Sequence, residues 1–258
     1  LNTSNNRDII GLVRVHYNQC DSTQSRLRAL LAKNKPKEGL VVSADYQSAG
    51  RGQHGSYWYS GKGLNIALSM YLCPVQLKVD QQFLINIWAS LALVKALETY
   101  ISEESIAIKW PNDILINDKK IAGIIVQSSV QAKNIHHIIL GIGLNVNENM
   151  NAYNFNATSL KSETGEHICL SSIKESVIEN IQKTYLKGIQ LPDIGIHAKA
   201  YEQRLWRKGE KVNYLEKGEQ FSGTIKGINE IGQLQIFEEK GTIRSINTKE
   251  VEFILNDE

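Results

Sequence analysis

Residues 106–130 constrain the fold more than any other stretch, because three apolar runs are separated there by two short polar turns. Residues 106–110, 114–117 and 121–130 have the length and β-branched content of strands. The turns Pro111-Asn112-Asp113 and Asp118-Lys119 use residue types that build tight reversals. The spacing therefore predicts a short antiparallel meander. Lys109 closes its first strand, and Lys120 emerges beside the second turn, near Lys109 and Asn112. Cations gathered in this way invite an anion.

The remaining chain supplies elements that can flank such a sheet. A first strand is read over residues 9–17, followed by Asp21-Ser22-Thr23 as a helix N-cap ahead of Leu27, Leu30 and Leu31. Hydroxyls at a strand-to-helix junction also face ligands, so capping and ligand contact both stay open for Ser22 and Thr23. Strands are expected over 40–44 and 65–72. A helix follows from Asp80, with Phe83, Ile87, Leu91, Val94, Leu97 and Ile101 recurring every three or four residues. In the strand 135–147, Gly141, Gly143, Asn145 and Asn147 alternate with Ile142, Leu144 and Val146. The two glycines there imply close approach of a ligand or another backbone. His136-His137 has no acidic or cysteine partner at metal spacing, and solvated histidines are expected.

Ser172-Ile173-Lys174-Glu175 reads as a capping box opening a helix through Leu186, and residues 193–208 as a further helix ending at Gly209. From Glu210 the texture changes to short strands punctuated by Lys217-Gly218, Ile231-Gly232 and Lys240-Gly241, which suggests a small SH3-like β-barrel. The expected fold is α+β: a mixed central sheet flanked by helices over residues 1–208, then the barrel over 209–258.

Gly50-Arg51-Gly52-Gln53-His54-Gly55 matches the dinucleotide pattern G-x-G-x-x-G, but its context is wrong. No helix opens after it, and no acidic residue lies between Gly55 and Asp80. Ile106-Ala107-Ile108-Lys109 looks like a protein-kinase lysine strand, yet the chain has no H-R-D, D-F-G or A-P-E. What remains is a glycine loop with an arginine and many backbone N–H groups, suited to an anionic small molecule or to an exposed turn.

Composition narrows the partners. Lys and Arg number 29 against 27 Asp and Glu, with no long block of one sign, so no field for nucleic acid is indicated. Cys20, Cys73 and Cys169 are too far apart for a zinc spacing or a disulfide framework. No signal-like start or membrane-length apolar run is present, and a cytoplasmic location without membrane attachment is expected.

Taken together, Asp21-Ser22-Thr23, Gly50-Arg51-Gly52 with Trp58 after it, Lys109-Trp110-Pro111-Asn112-Asp113, Lys120-Ile121-Ala122-Gly123-Ile124, Gly141-Ile142-Gly143-Leu144-Asn145 and the terminal barrel resemble a biotin-protein ligase. The resemblance covers nearly the whole chain. It implies a class II synthetase-like catalytic domain that activates biotin with ATP as biotinyl-5′-AMP and transfers it to a lysine of a biotin carboxyl carrier protein. It also implies Mg²⁺ held through the nucleotide phosphates rather than by a protein metal site. The N-terminal DNA-binding module of some members is not seen, so DNA binding is not expected. A homodimer is left open.

The resemblance further implies roles for particular residues. Lys120 would contact the biotin carboxylate and then the acyl phosphate, while Arg51 and the loop amides close over the phosphates, with Gly50 and Arg51 also contacting biotin. Ser22, Thr23 and Gln47 would bind the ureido head, and Gly123, Ile125 and Ile142 would line the apolar wall. Trp58 and Asn145 would sandwich adenine, and Lys109, Asn112 and Asp113 would orient phosphates and the hydrated metal. One departure stands out: members with G-R-G-R carry a second arginine where this chain has Gln53. A neutral amide cannot replace a guanidinium contact, so weaker retention of the adenylate is expected unless another cation such as Lys62 substitutes. Two alternatives remain, a lipoate-protein ligase or transferase and a non-catalytic biotin-binding module.

Overall fold

The computed structural model describes residues 9–254 apart from 34, 154 and 249. Seven strands form its main sheet: β1 (Arg14–Tyr17), β2 (Val41–Ala44), β3 (Ile66–Leu72), β4 (Ile106–Lys109), β5 (Asp113–Ile116), β6 (Lys119–Gln131) and β7 (Asn134–Leu144). Their spatial order is β1-β2-β3-β7-β6-β5-β4. Only β1 and β2 pair in parallel, which makes the sheet mixed as expected.

The meander at residues 106–130 is present, with its second turn one residue earlier than the sequence suggested. Asn117 and Asp118 carry φ of 48° and 63°. Positive φ at both central residues is what a two-residue type I′ hairpin needs, and after glycine Asn and Asp tolerate it best. Lys119 is thereby released into β6.

The helices divide between the two faces. On one lies α1 (Thr23–Lys33), whose Leu27 packs with Leu40, Val42 and Ile139. On the other lie α2 (Phe83–Leu97) and α4 (Leu170–Gly188), with Leu68, Met70, Leu140, Ile142 and Leu144 in the large core cluster beneath them. The short α3 (Leu160–Thr164) and then α5 (Ile194–Glu202) complete the helical set. Alternation along β3 and β7 separates these faces, because successive side chains on a strand point oppositely. α2 is buried almost all round, since the sheet, α4 and α5 each take part of its surface. No described helix is long and apolar enough to cross a membrane.

Several element boundaries differ from expectation for physical reasons. Residues 9–13 do not extend β1: Gly11 turns the chain at φ +84°, and the N–H groups of Ile9 and Ile10 each donate to Gln182 Oε1 at 2.8 Å. The helix expected from Asp80 begins as a single 3₁₀ turn at Val79–Gln81 and becomes α-helical at Phe83; Ile101 lies beyond its end. α4 starts at Leu170 with Cys169 at its N-cap, so Ser172 falls inside the first turn and forms no capping box. α5 stops at Glu202 because the chain then pairs with β4. The Ile108 N–H donates to Arg204 O at 2.7 Å, and the Trp206 N–H to Ile108 O at 2.9 Å.

Helix α4 meets α2 through a glycine. A Cβ placed on Gly188 would lie 2.1 Å from Trp88 Cε2. Gly188→Ala must push the indole off its seat, and overpacking of this kind costs about 1–3 kcal/mol. Thermal unfolding of the variant should fall by roughly 2–4 °C per kcal/mol; an unchanged midpoint would mean that the helices separate freely.

A second, antiparallel sheet follows: β8 (Lys211–Glu216), β9 (Glu219–Ile228), β10 (Leu234–Glu238), β11 (Ile243–Ile246) and β12 (Val251–Ile254), in the order β11-β10-β9-β8-β12. Five short strands fit the SH3-like barrel expected after Gly209. It is docked tightly on the first sheet. Trp110 Nε1 donates to Gly232 O at 3.0 Å, and Val212, Tyr214, Ile225, Leu234 and Ile236 share one core cluster with the central strands.

Candidate active site

The strand registers place Ala44, Ala67, Gly143, Gly123, Asp113 and Lys109 in one row across the sheet. The middle of this row has no side chain beyond a methyl group, so the α1 face of the sheet carries a trough. Trp58 fills it. A Cβ on Gly143 would lie 2.4 Å from Trp58 Cε2, and one on Gly123 would lie 3.0 Å from Cζ3. In the next row, Ser69, Gly141 and Ile125 are neighbours, and Gln24 of α1 lies over Gly141. The close approach foreseen from the glycines is thus made by two side chains of the same molecule.

Trp58 is delivered by the glycine loop, which folds back on itself. The Trp58 N–H donates to Gly50 O at 3.0 Å, the Gly52 N–H to Ser56 O at 2.7 Å and the Ser56 N–H to Gln53 O at 3.0 Å. At Gly50 a Cβ would lie 2.3 Å from Trp58 O, so only glycine lets the two arms close. Arg51, on the first arm of the loop opposite Tyr57, is exposed, and with Gln53 it lines both cavities of the region. Lys62, the substitute cation considered above, lines neither.

Beneath the loop, Ser22 is a helix cap: its Oγ accepts from the Ser25 N–H at 3.1 Å. Thr23 and Gln47 form a buried network. Gln47 Oε1 accepts from the Thr23 N–H at 2.8 Å and from Thr23 Oγ1 at 3.2 Å, and Ser69 Oγ donates to Thr23 Oγ1 at 2.8 Å. Ser22, Thr23 and Gln47 also line the inner pocket.

On the far side, Lys120 Nζ pairs with Asp113 Oδ1 at 2.8 Å and sits 5.5 Å from the centre of the Trp58 ring. Asn112 is held by β6, its Nδ2 donating to Ile124 O at 2.6 Å. Gly123, Ile125 and Ile142 border the pocket, but they do not contribute equally. Gly123 and Ile125 share its face of the sheet, whereas the Ile142 side chain belongs to the core under α2.

Two residues stand apart from this cluster. Asn145 donates its Nδ2 to Thr158 O at 3.0 Å and lines neither cavity. Lys109 shares the row of Asp113, but its ammonium lies 5.1 Å from the Trp206 ring centre and 5.2 Å from that of Phe253. Burial lowers the Lys109 pKa, against the opposing pull of Asp113 and with a smaller push from Lys120 in the same direction. A lysine whose folded pKa is depressed binds fewer protons than the unfolded chain in the window just below 10.5. Stability there rises with pH as the charge is shed. Lys109→Met should flatten that alkaline rise in unfolding free energy and leave the neutral-pH melting temperature equal or higher; an unaltered alkaline profile would place the titration elsewhere.

Sequence reasoning missed Gln24, Glu148 and the pair Trp206 and Phe253. Glu148 is a buried carboxylate that accepts from the Gly61 N–H at 2.6 Å, Asn65 Nδ2 at 3.0 Å and Tyr153 OH at 2.9 Å. It ties the segment after Trp58 to the end of β7. No local signal marks it, because its partners come from distant parts of the chain.

The inner pocket holds about 40 Å³, far below the roughly 300 Å³ of a typical small-molecule site. Next to it a cleft of about 960 Å³ runs between the glycine loop, the start of α2, β6 and the second sheet at Ile231–Gln233. The glycine loop is the wall between the two.

Residues 16–145 match the model of the biotin/lipoate A/B protein ligase family. The chain belongs to that family. The matched region of this family member includes every candidate residue from Ser22 to Asn145. The chain is 29% identical over 255 residues to the bifunctional ligase/repressor BirA of Bacillus subtilis, covering 95% of this chain and 75% of that protein. It is 32% identical over 144 residues to a biotin–(acetyl-CoA-carboxylase) ligase of Mycobacterium tuberculosis, covering 55% and 52% of the two. In fold it is similar to the biotin protein ligase of Aquifex aeolicus in complex with biotin and ATP, with a TM-score of 0.78, 26% identity, and coverage of 94% and 99%.

Proposed function

We propose that the chain is a biotin-protein ligase in which biotin is activated over the glycine trough. What carries the reading is the placement of the Lys120–Asp113 pair and the Trp58 loop around bare β-sheet backbone, in a chain whose fold follows a biotin- and ATP-bound ligase. A carboxylate oxygen of biotin attacks the α-phosphorus of ATP, the bond to the β-phosphate oxygen breaks, and pyrophosphate leaves. No protein nucleophile is needed. Positioning and charge stabilisation suffice, from Lys120, Arg51 and the loop amides at Gly50 and Gly52.

Ser22, Thr23 and Gln47 are placed at the polar end of the pocket, with Gly123 and Ile125 along its apolar side. A bicyclic acid needs more than the space left beside Trp58, so the indole lifts from the trough when ligand enters. Its flat face is then free to stack on adenine, with Asn145 released from Thr158 as the second wall. Asn112 serves the phosphate end, joined by Lys109 once its ammonium leaves the rings of Trp206 and Phe253. Asp113 is the carboxylate there, and Mg²⁺ is commonly held by one or two carboxylates plus substrate phosphates. Asp113 would hold such an ion together with the phosphates of ATP, and the ion would neutralise phosphate charge there.

In the second step the amine of a carrier lysine attacks the acyl carbon, AMP leaves and the nitrogen loses a proton. The carrier needs a surface beside the pocket. Past Gly123, β6 pairs only with β7 among the described strands, and this free edge opens into the large cleft, where an extended segment of the carrier domain can add to the sheet. Residues 1–208 act as the catalytic domain, and 209–258 as the barrel that forms the cleft's outer wall.

The test is isotope exchange between pyrophosphate and ATP. Exchange that requires biotin is the expected result. Exchange indifferent to biotin, or driven by lipoate instead, would overturn the reading.

A further inference from the structure

Two stretches of chain meet at Lys120. The Trp58 ring centre lies 5.5 Å from its Nζ. Its backbone is held by the other stretch, with the Lys120 N–H donating to Asn156 O at 3.2 Å and the Thr158 N–H to Lys120 O at 2.9 Å. Just past Trp58 and just before Asn156, both stretches return to one side chain. Glu148 Oε2 accepts from the Gly61 N–H at 2.6 Å, and Oε1 accepts from Tyr153 OH at 2.9 Å. The fit at Gly61 is tight, since a Cβ there would lie 2.1 Å from Oε2. Beside it the Tyr59 and Tyr153 rings are in contact, their centres 4.3 Å apart.

Glu148 is itself firmly seated between the ends of β3 and β7. Asn65 donates Nδ2 to Oε2 at 3.0 Å and accepts the Val146 N–H at 2.9 Å, and Ser159 Oγ donates to Glu148 O at 2.7 Å. The residue is buried and lines neither cavity of the region. A buried carboxyl group is tolerated only when its oxygens are hydrogen-bonded, and three donors converge on this one.

We infer that Glu148 is a positioning residue for the use of ATP: it fixes the spacing between the stretch that carries the Trp58 indole and the stretch that holds the Lys120 backbone. The inference rests on the reading of Lys120 as the group that meets carboxylate and phosphate. When the indole lifts for ligand, Gly61 stays on Glu148 as the fixed end of the moving arm. Without that end the inner pocket keeps its walls, but the indole and the ammonium drift relative to each other. Misplacement by about 1 Å is enough to cost about 10²-fold in rate.

Tyr153→Phe cuts one of the ties and Glu148→Ala cuts all three. Glu148→Gln keeps them, because its amide oxygen can accept from Gly61 and Asn65 while its NH₂ donates to the Tyr153 hydroxyl. In pyrophosphate exchange at saturating biotin, kcat/KM for ATP should fall about 3–10-fold in Tyr153→Phe and about 10–100-fold in Glu148→Ala. Glu148→Gln should stay within about threefold of the parent, and so should the biotin affinity of all three variants measured by calorimetry without nucleotide. A tie that only supports the fold would lower the melting temperature and leave the kinetic constants of the folded molecules at parental values, which would overturn the inference. Damage in Glu148→Gln equal to that in Glu148→Ala would also overturn it, since the hydrogen bonds would then not be what matters. Should Glu148→Ala fail to fold, Tyr153→Phe decides: parental kcat/KM for ATP in that variant overturns the inference alone. Absence of biotin-dependent exchange in the parent protein would overturn it together with the functional reading.

Discussion

Lys120→Ala is expected to lower biotin-dependent pyrophosphate exchange by about 10²–10³-fold, the typical loss when one positioned charge-stabilising group is removed. The side chain lies between Asp113 and the face of Trp58. From there it can meet both the attacking carboxylate and the phosphate it attacks. The fold should survive. Lys120 is about one-third exposed, and ion pairs of that kind contribute on the order of 0–1 kcal/mol. Its backbone is held separately, by Asn156 O at 3.2 Å and by the Thr158 N–H at 2.9 Å. Circular dichroism and thermal melting should therefore match the parent. A folded Lys120→Ala protein with near-parental exchange would remove Lys120 from the chemistry.

The second large effect is expected from Gly143→Val. Its Cβ falls 2.4 Å from the present position of Trp58 Cε2, and two further methyl carbons would stand in the trough. Biotin affinity should drop by at least about 100-fold, since the space that ligand takes from Trp58 is filled permanently. Stability should fall by about 1–3 kcal/mol, or less where the loop swings out and relieves the clash. Ile142→Val is the matched control from the adjacent position. That side chain points into the core under α2, so it should cost about 0.5–1.5 kcal/mol of stability and leave biotin affinity within a factor of two or so. Equal loss of affinity in both variants would mean that the glycine row does not define the binding face.

The contrast between Gly143 and Ile142 shows how far the sequence alone could be read. Period-two alternation in β7 and the turn chemistry at residues 111–118 are local signals, and they led to the meander and the glycines on one face, whereas the mixed sheet with its parallel β1–β2 pair has no such local mark. The resemblance implied a place for Ile142 on the apolar wall; it borders the pocket, but its side chain alternates with Gly141 and Gly143 and so joins the core under α2. The element ends were misjudged where a distant partner decided them: Gln182 takes the N–H groups of Ile9 and Ile10 ahead of β1, and Ile108 draws residues 204–206 out of α5. Lys109 was grouped with Lys120 by proximity in sequence, whereas Trp206 and Phe253, about a hundred residues or more downstream, hold its ammonium. Gln24 was invisible for a related reason, since a glutamine in a first helical turn looks solvated until β7 is packed against it.

The most direct test of the whole account is the mass of a carrier domain after incubation with this protein, biotin and ATP. The expected result is addition of one biotinyl group to a single carrier lysine, requiring both small molecules and lost in Lys120→Ala. A carrier of unchanged mass, or one modified without ATP, would contradict the assignment of this fold and this pocket to biotin ligation.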